Sequence, residues 1–264
     1  MSDWLTVERG SAPLIVSVPH AGTAIPDDIA AGLISHDRGV HDADFYVDRL
    51  YGFATELGAT VVRTAISRTV IDVNRDPSGA SLYPGQATTG LCPTETFDGE
   101  PLYRDGLEPD VREIERRRAN YFMPYHDAIT AEIARLRTEH PRVVLYDAHS
   151  IRSVVPRLFD GALPQFNIGT NSGASCAPAL TRAVEAACGP SQVTDGRFRG
   201  GWITRHYGDA KKGVHAIQME LAMRGYLDEA LSWPPPWDAA IAAPLQRTLG
   251  AVLTACLDFT KEDR

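Results

Sequence analysis

Two histidines in this chain of 264 residues stand where apolar runs typical of buried strands come to an end. His20 follows the run at 14–18, and His149 follows the run at 143–146. The carboxyl ends of strands in an open α/β sheet are where ligands and chemistry gather. Two imidazoles there, with acidic residues shortly after the first, indicate an open metal site of two nitrogens and one carboxylate. The alternative is that both histidines belong to ordinary turns and have only structural partners.

The carboxylate of this predicted site comes from Asp42 or Asp44, and the residues alone leave both open. We expect one divalent metal, zinc, because imidazole and carboxylate are ligands that zinc takes in catalytic sites. A metal held there lowers the pKa of a bound water toward ~7 and polarises a carbonyl group. The predicted chemistry is therefore hydrolysis.

Glu220 is the candidate for proton transfer, because it stands near the end of an apolar stretch at 214–221 that is predicted to be a strand. A carboxylate buried at such a place costs free energy unless it has a partner or a role. Beside an activated water it can take the proton and pass it to a leaving nitrogen. The structural alternative is an ion pair with an arginine such as Arg224.

Basic and amide side chains that suit an anionic substrate occur in the segment 67–76, which contains Arg68, Asn74 and Arg75. A planar guanidinium is the natural bidentate partner of a carboxylate, and an amide adds further donor and acceptor capacity. Arg205 is a further candidate for the same role. The structural alternative for Arg75 is pairing with a neighbouring aspartate.

Composition and charge narrow the classes of partner. The formal net charge of -8 argues against nucleic acid and against an anionic membrane surface, since both recruit basic faces. No apolar run approaches the ~20 residues of a membrane span, and the start lacks the pattern of a signal peptide, so we expect a cytoplasmic protein. No P-loop, GxGxxG or GxSxG string is present. The remaining class is an enzyme or binding protein for a small molecule, of unspecified oligomeric state.

The order of predicted elements is that of an α/β domain. A strand at 14–18, a helix at 45–57 ended by Gly58 and a strand at 59–66 form one strand-helix-strand unit, which implies parallel pairing with a right-handed crossover. We expect a single domain over 1–264, with a mixed, mostly parallel sheet flanked by helices. The further predicted elements are strands at 142–146 and 214–221 and helices at 110–140, 176–188 and 237–257.

Two segments stand out from this pattern. The segment 76–109 is rich in Gly, Pro, Thr and Asp and has no clear period, so it is either a substrate lid or a plain surface excursion. The helical region at 110–140 is predicted to kink or split at Pro124.

Five strings, taken together and in this order, resemble the N-formylglutamate amidohydrolase (deformylase) family. They cover about 15–221, most of the chain. The strings are Val18-Pro19-His20-Ala21-Gly22, Asp42-Ala43-Asp44, Ser67-Arg68 with Asp72-Val73-Asn74-Arg75, Asp147-Ala148-His149-Ser150, and His215-Ala216-Ile217-Gln218-Met219-Glu220-Leu221.

The resemblance implies a carboxypeptidase-like fold, because the family is distantly similar to zinc carboxypeptidases and aspartoacylases. It implies His20 and His149 as metal ligands, Asn74 with Arg75 as binders of a substrate carboxylate, and Glu220 as the catalytic carboxylate. The implied reaction is hydrolysis of N-formyl-L-glutamate to formate and L-glutamate, as in one route of histidine degradation.

This sequence departs from the carboxypeptidase pattern at one position. Thr23 stands three residues after the first histidine, where that pattern has a glutamate ligand. The third ligand must therefore come from further along, with Asp44 preferred and Asp42 as the alternative. Two other functions remain open: hydrolysis of another N-acyl acidic amino acid or peptide, and a silent binding protein that senses an acidic amino acid. The presence of both histidines and Glu220 favours an enzyme, because a carboxylate binder needs only the arginines.

Overall fold

One mixed sheet organises the part of the chain that the structure, a computed structural model, describes, which is residues 4–80 and 89–261. Its strands lie in the order β1-β3-β2-β4-β7-β5-β6. The central four, β3, β2, β4 and β7, are parallel neighbours, whereas β1 and β5 add antiparallel pairs on either side. This confirms the predicted mixed, mostly parallel sheet. The strands are β1 (Leu5–Glu8), β2 (Leu14–Val18), β3 (Thr60–Thr64), β4 (Val143–Ile151), β5 (Phe166–Gly169), β6 (Gln192–Thr194) and β7 (Val214–Ala222).

Helices cover both faces of this sheet, as predicted. On one face, α6 and α8 pack on a core that contains Tyr146 and Ile217. On the other, α5 packs on Ile15, Val62 and Leu145. The α-helices are α1 (Asp27–Ala30), α2 (His36–Val40), α3 (Val47–Leu50), α4 (Val111–Arg117), α5 (Met123–Arg137), α6 (Pro178–Cys188), α7 (Trp202–Tyr207) and α8 (Ala239–Lys261).

The first strand-helix-strand unit is present, but its helix is broken. The segment predicted as one helix at 45–57 consists of α3 and a separate 3-10 helix, Gly52–Leu57. The break falls at Tyr51, and Gly52 begins the second piece, in keeping with the low helix propensity of glycine. Gly58 ends the second piece with a left-handed φ of 74°, as a C-terminal glycine should.

The helical region at 110–140 changes its winding at the predicted place. Asp110 caps α4 by accepting a hydrogen bond from the Glu113 amide at 2.8 Å. A π-helical turn, Arg118–Phe122, then separates α4 from α5 immediately before Pro124. Proline lacks the N–H for the regular ladder and its ring crowds the preceding turn, which a wider turn relieves.

One sequence prediction about an extended segment was wrong. The strand predicted at 142–146 continues to Ile151, so His149 lies inside β4 and not in a turn. The longer strand comes from tertiary pairing, since β4 is flanked along its whole length by β7. The Gly-rich segment 196–213 contains α7 and a 3-10 helix, Ala210–Lys212. In the segment 76–109, residues 81–88 lie outside the described ranges, and 89–109 has only isolated bridges.

Helix α8 bears on the expectation that no apolar run of the chain is long enough to span a membrane. By length and composition alone it is long and apolar enough to cross a membrane. In this fold, however, Leu249, Leu253 and Cys256 on one side of it are buried in the core that α8 shares with α6. Packing within the domain therefore accounts for the apolar residues on this side of the helix.

Candidate metal centre and substrate cavity

Strands β4 and β7 place the site, because one face of each changes from apolar to polar along its length. On that face β4 presents Leu145 and then His149, since alternate side chains share a face. In the same way β7 presents Ala216 and then Gln218 and Glu220. The parallel register sets His149 beside Glu220. The two polar ends therefore meet at the carboxyl edge of the sheet.

The buried side chains of His20, Asp44 and His149 converge there. One candidate ligand atom from each lies within 4.8 Å of the others. Asp44 Oδ2 is 3.1 Å from His149 Nδ1 and 3.8 Å from His20 Nδ1. Ligands of one zinc ion at about 2.0–2.2 Å are roughly 3–4 Å apart, so this spacing fits a single ion. The buried His20 Nδ1 has no hydrogen-bond partner within the described residues, and a cation would satisfy it.

Two further aspartates orient the imidazoles from behind. Asp72 Oδ1 lies 2.7 Å from His20 Nε2, and Asp147 Oδ2 lies 3.0 Å from His149 Nε2. An imidazole that donates through Nε2 presents its lone pair on Nδ1, and such carboxylate partners are usual behind metal-bound histidines. Neither aspartate was predicted from the sequence to have a role in the metal site. The feature of the sequence that could have identified them is their position within the motifs, where Asp147 stands two residues before His149.

Asp42, the alternative carboxylate, lies outside this group. Its Oδ1 is 3.1 Å from His41 Nδ1, and its Oδ2 accepts the Phe97 amide at 2.7 Å. Asp44 is held in the group instead, because its Oδ2 also accepts the Ser150 amide at 3.1 Å. The geometry therefore favours Asp44 as the third ligand.

The charges around the two imidazoles suit a cation. Burial, together with Arg68, lowers the pKa of His20, so this ring is neutral as a ligand must be. Burial opposes the charge on His149 as well, but the Asp147 and Asp44 carboxylates outweigh it and raise its pKa well above the ordinary value. Without another cation, the His149 ring is therefore protonated and positively charged between these two carboxylates. A divalent metal would take the place of that proton.

Arg68 lines the cavity, but its guanidinium is hydrogen-bonded to aspartates of the metal centre. Its Nη2 donates to Asp72 Oδ2 at 2.7 Å and its Nη1 to Asp44 Oδ1 at 3.3 Å. The guanidinium also lies over the Phe97 ring, 4.8 Å from its centroid. Arg68 thus ties a candidate ligand to the aspartate that orients His20, and these contacts differ from the predicted substrate contact.

Asn74 is likewise engaged by the protein itself. Its Nδ2 lies 3.0 Å from Asp147 Oδ2 and 2.9 Å from His149 Nε2, and its Oδ1 accepts the Ile203 amide at 2.8 Å. The close approach explains Gly201, where an added Cβ would stand 2.4 Å from Asn74 Nδ2. In this arrangement Asn74 holds α7 and Asp147, the aspartate behind His149, and it also lines the cavity.

The cavity beside the metal group is lined by arginines and by apolar side chains. Arg75 reaches it with its Nη2 donating to Thr89 at 3.1 Å, and its Nε stands 3.5 Å from Asp72. Arg157 and Arg197, which were not predicted as site residues, line it as well. The apolar lining consists of Phe97, Ile151, Leu158 and Phe198.

Arg205, the remaining predicted binder, does not line this cavity. It lies on α7, and its Nε donates to the Gly200 carbonyl at 2.8 Å. No simple signal separated Arg205 from Arg197 in the sequence, because both stand in the same Gly-rich segment, 196–213. Their different directions follow from the turn of α7.

Glu220 faces the cavity from β7. It is buried, and its carboxylate has Gln218 Nε2 as a weak donor at 3.3 Å. Arg224, its predicted structural partner, instead donates to the Leu163 carbonyl at 2.5 Å. Burial raises the pKa of Glu220 to about 8. A carboxyl group of this kind, beside a candidate metal group and open to a cavity, suits acid–base chemistry.

The order of these residues along the chain matches a known family. A sequence model of N-formylglutamate amidohydrolase matches residues 12–227, which include every residue of the metal group and Glu220. The chain belongs to the N-formylglutamate amidohydrolase family. Among its relatives are two curated proteins named N-formylglutamate deformylase. One is from Pseudomonas aeruginosa and is 46% identical over 99% of each chain, and the other is from Pseudomonas putida and is 44% identical over 99% of this chain and 98% of the other.

The fold agrees with that membership. The crystal structure of an N-formylglutamate amidohydrolase from Ralstonia eutropha JMP134 superposes with a TM-score of 0.80 over 98% of both chains, at 22% identity. At this identity the likeness concerns the fold alone. Four motif residues, His20, Asp44, His149 and Glu220, nevertheless lie close together at the carboxyl edge of the sheet.

Proposed function

We propose that this protein hydrolyses N-formyl-L-glutamate to formate and L-glutamate, with one divalent metal, zinc, held by His20, Asp44 and His149. The observation that carries the proposal is the buried metal group beside a cavity that Glu220 and several arginines line. The name of the relative from Pseudomonas aeruginosa, N-formylglutamate deformylase, supports the choice of substrate.

The donor set supports zinc. Two imidazole nitrogens and one carboxylate oxygen are a usual ligand set of catalytic zinc sites, which keep a further position for water or substrate. When bound, the metal supplies Lewis acidity that polarises the formyl carbonyl and makes water a better nucleophile at neutral pH. Asp72 and Asp147 contribute by fixing both rings with Nδ1 toward Asp44.

Glu220 moves the proton. As water attacks the formyl carbon, a C–O bond forms and the Glu220 carboxylate accepts the water proton. The same carboxyl group then returns the proton to the amide nitrogen as the C–N bond breaks, which releases formate and the free amine. The raised pKa of Glu220, about 8 because of burial, suits a group that must both accept and donate near neutral pH.

The cavity selects the amino acid. N-formyl-L-glutamate carries two carboxylates joined by a short methylene chain. Arg75, Arg157 and Arg197 offer guanidinium groups for the carboxylates, and Leu158 and Phe198 offer apolar contact for the chain. The positions of these guanidinium groups orient the substrate so that its formyl amide bond faces the metal group.

A substrate panel tests this proposal. Zinc-loaded protein is incubated with N-formyl-L-glutamate, N-formyl-L-aspartate, N-acetyl-L-glutamate and N-formyl-L-leucine, and both free acid and free amine are measured. We expect the highest kcat/KM for N-formyl-L-glutamate and loss of activity on removal of the metal. Faster hydrolysis of the acetyl compound would assign a different acylase, and binding without turnover of any compound would assign a binding protein.

Arg75→Ala should change substrate preference. We expect KM for N-formyl-L-glutamate to rise by about tenfold or more, because a charge-assisted bidentate contact contributes several times RT. KM for N-formyl-L-leucine should rise less, since one carboxylate fewer is present. Arg205→Ala is the matched control, because Arg205 does not line the cavity and should leave both KM values near wild type. Equal effects of Arg75→Ala on both substrates would remove Arg75 from substrate selection.

A further inference from the structure

Asp44 stands in a tight turn between α2 and α3, and contacts from several segments hold this turn against the rest of the site. The Asp44 amide donates to the His20 carbonyl at 3.0 Å, and the indole Nε1 of Trp233 donates to the His41 carbonyl at 3.0 Å. Tyr46, two residues after Asp44, has a left-handed φ of 62°. A bulky residue rarely adopts this conformation, so the surrounding structure must impose it.

One buried hydroxyl group connects this turn to strand β4. Tyr226 comes shortly after β7, and its side chain is fully buried in the core that α6 and α8 cover. Its hydroxyl donates to the Phe45 carbonyl at 2.8 Å, and the same oxygen lies 2.7 Å from Ser150 Oγ. Phe45 directly follows Asp44 in the chain. Ser150 directly follows His149, so the hydroxyl joins the two segments that carry these candidate ligands.

The hydrogen atoms of this bridge can be assigned from its partners. The Phe45 carbonyl can only accept, so the Tyr226 hydroxyl donates to it. A phenol has one hydrogen, so Ser150 Oγ must donate to the Tyr226 oxygen. Burial raises the pKa of Tyr226 well above its ordinary value, which keeps the hydroxyl protonated for this role. Loss of the hydroxyl would therefore leave the Phe45 carbonyl without this donor and the Ser150 hydroxyl without this acceptor, both in a buried place.

Ser150 extends the bridge to Asp44 through its backbone. Its amide donates to Asp44 Oδ2 at 3.1 Å, and this oxygen also lies 3.1 Å from His149 Nδ1. The Ser150 side chain lies on the opposite face of β4 from the His149 ring, because alternate side chains of a strand share a face. Tyr226 therefore stands behind the metal group, and it does not line the substrate cavity.

We infer that Tyr226 is a positioning residue that sets the separation between Asp44 and His149 and so strengthens metal binding. Its hydroxyl acts through Phe45 on the segment of one candidate ligand and through Ser150 on the segment of the other. The inference rests on the proposed function, because it needs a metal at the proposed site. Contacts behind the ligands of a metal typically change its affinity by about 10–100-fold when they are removed.

Tyr226→Phe tests the inference, because it removes the hydroxyl and keeps the ring. Zinc affinity is measured by competition with a chromophoric chelator, and the melting temperature is measured on the metal-free protein. We expect zinc to bind about 10–100-fold more weakly than to wild type. Ser150→Ala should also weaken zinc binding, but by less, since the hydrogen bond from Tyr226 to the Phe45 carbonyl remains.

Tyr51→Phe is the matched control. Tyr51 is buried in the same core as Tyr226, and its hydroxyl lies 2.9 Å from that of Tyr146, so this substitution also removes one buried hydrogen bond. Neither Tyr51 nor Tyr146 is a chain neighbour of a proposed ligand. We expect both phenylalanine variants to lower the melting temperature of the metal-free protein to a similar extent, and only Tyr226→Phe to weaken zinc binding.

Unchanged zinc affinity in Tyr226→Phe would overturn the inference, and so would an equal loss in Tyr51→Phe, which would assign the effect to the core as a whole. If Tyr226→Phe does not fold without the metal, Ser150→Ala decides the question by the same measurement. Failure of the proposed function gives a different result. Wild type would then bind zinc without hydrolysing N-formyl-L-glutamate, or it would bind no zinc, and the second outcome would overturn the inference as well.

Discussion

Glu220→Gln should lower kcat for N-formyl-L-glutamate by about 10²–10⁴-fold, the range that a general acid–base group contributes. Glutamine keeps the size of the side chain and its hydrogen-bonding capacity but cannot accept the proton of the attacking water. KM and zinc content should change little, because Glu220 is not part of the metal group. Steady-state kinetics together with metal analysis measure these quantities.

The same substitution should not lower the thermal stability of the metal-free protein. Burial raises the pKa of Glu220 to about 8, so between the ordinary value of 4.5 and 8 the folded state binds more protons than the unfolded state. The contribution of this residue to the free energy of unfolding therefore falls as pH rises through that window. A neutral glutamine removes this dependence, so the variant should lose less stability than wild type between pH 5 and 8.

Glu132→Gln is the matched control. Glu132 is also a buried glutamate, but it pairs with Arg9 at 2.7 Å and Arg135 at 2.6 Å, away from the cavity. Its loss should lower the melting temperature and leave kcat of the folded protein nearly unchanged. If Glu220→Gln behaved like Glu132→Gln, Glu220 would be a structural residue and would leave the mechanism.

His20→Ala and His149→Ala should each abolish stoichiometric zinc binding, and with it nearly all hydrolysis. Each substitution removes one of three candidate ligands, and the remaining two cannot form a usual catalytic zinc site. Metal analysis after dialysis against a weak chelator measures the loss, and far-UV circular dichroism verifies folding. Asp42→Asn is the matched control, because Asp42 stands outside the group and should retain the metal.

Two results would contradict the metal centre. Full retention of zinc in both histidine variants would place the ion elsewhere. Loss of zinc in Asp42→Asn with retention in Asp44→Asn would make Asp42, and not Asp44, the third ligand. A histidine variant that fails to fold would lose zinc for a different reason. Asp44→Asn covers that case, because it removes a candidate ligand from the same group while keeping the side-chain volume.

The sequence by itself determined the layers of the fold and the residue types of the site. Short apolar runs at 14–18 and 214–221 have the composition of buried strands, and the second has Glu220 near its end. These are local properties, so they can be interpreted without neighbours. The ordered motifs around His20 and His149 likewise pointed to the family before any geometry was known.

Tertiary structure decided which of these residues meet. Asp42 and Asp44 are two residues apart and alike in chemistry, and only the packing of the turn against Ser150 selects Asp44. Asp72 comes from a distant segment to orient His20, a pairing that no local pattern encodes.

The same holds for the cavity and for the lengths of strands. Arg197 lines the cavity whereas Arg205 is turned away by α7, because direction depends on backbone geometry and not on residue type. Strand β4 extends through its polar end to Ile151 because β7 supplies hydrogen bonds along its whole length. The sequence therefore indicated candidate residues, and contacts between residues far apart in the chain decided which of them form the site.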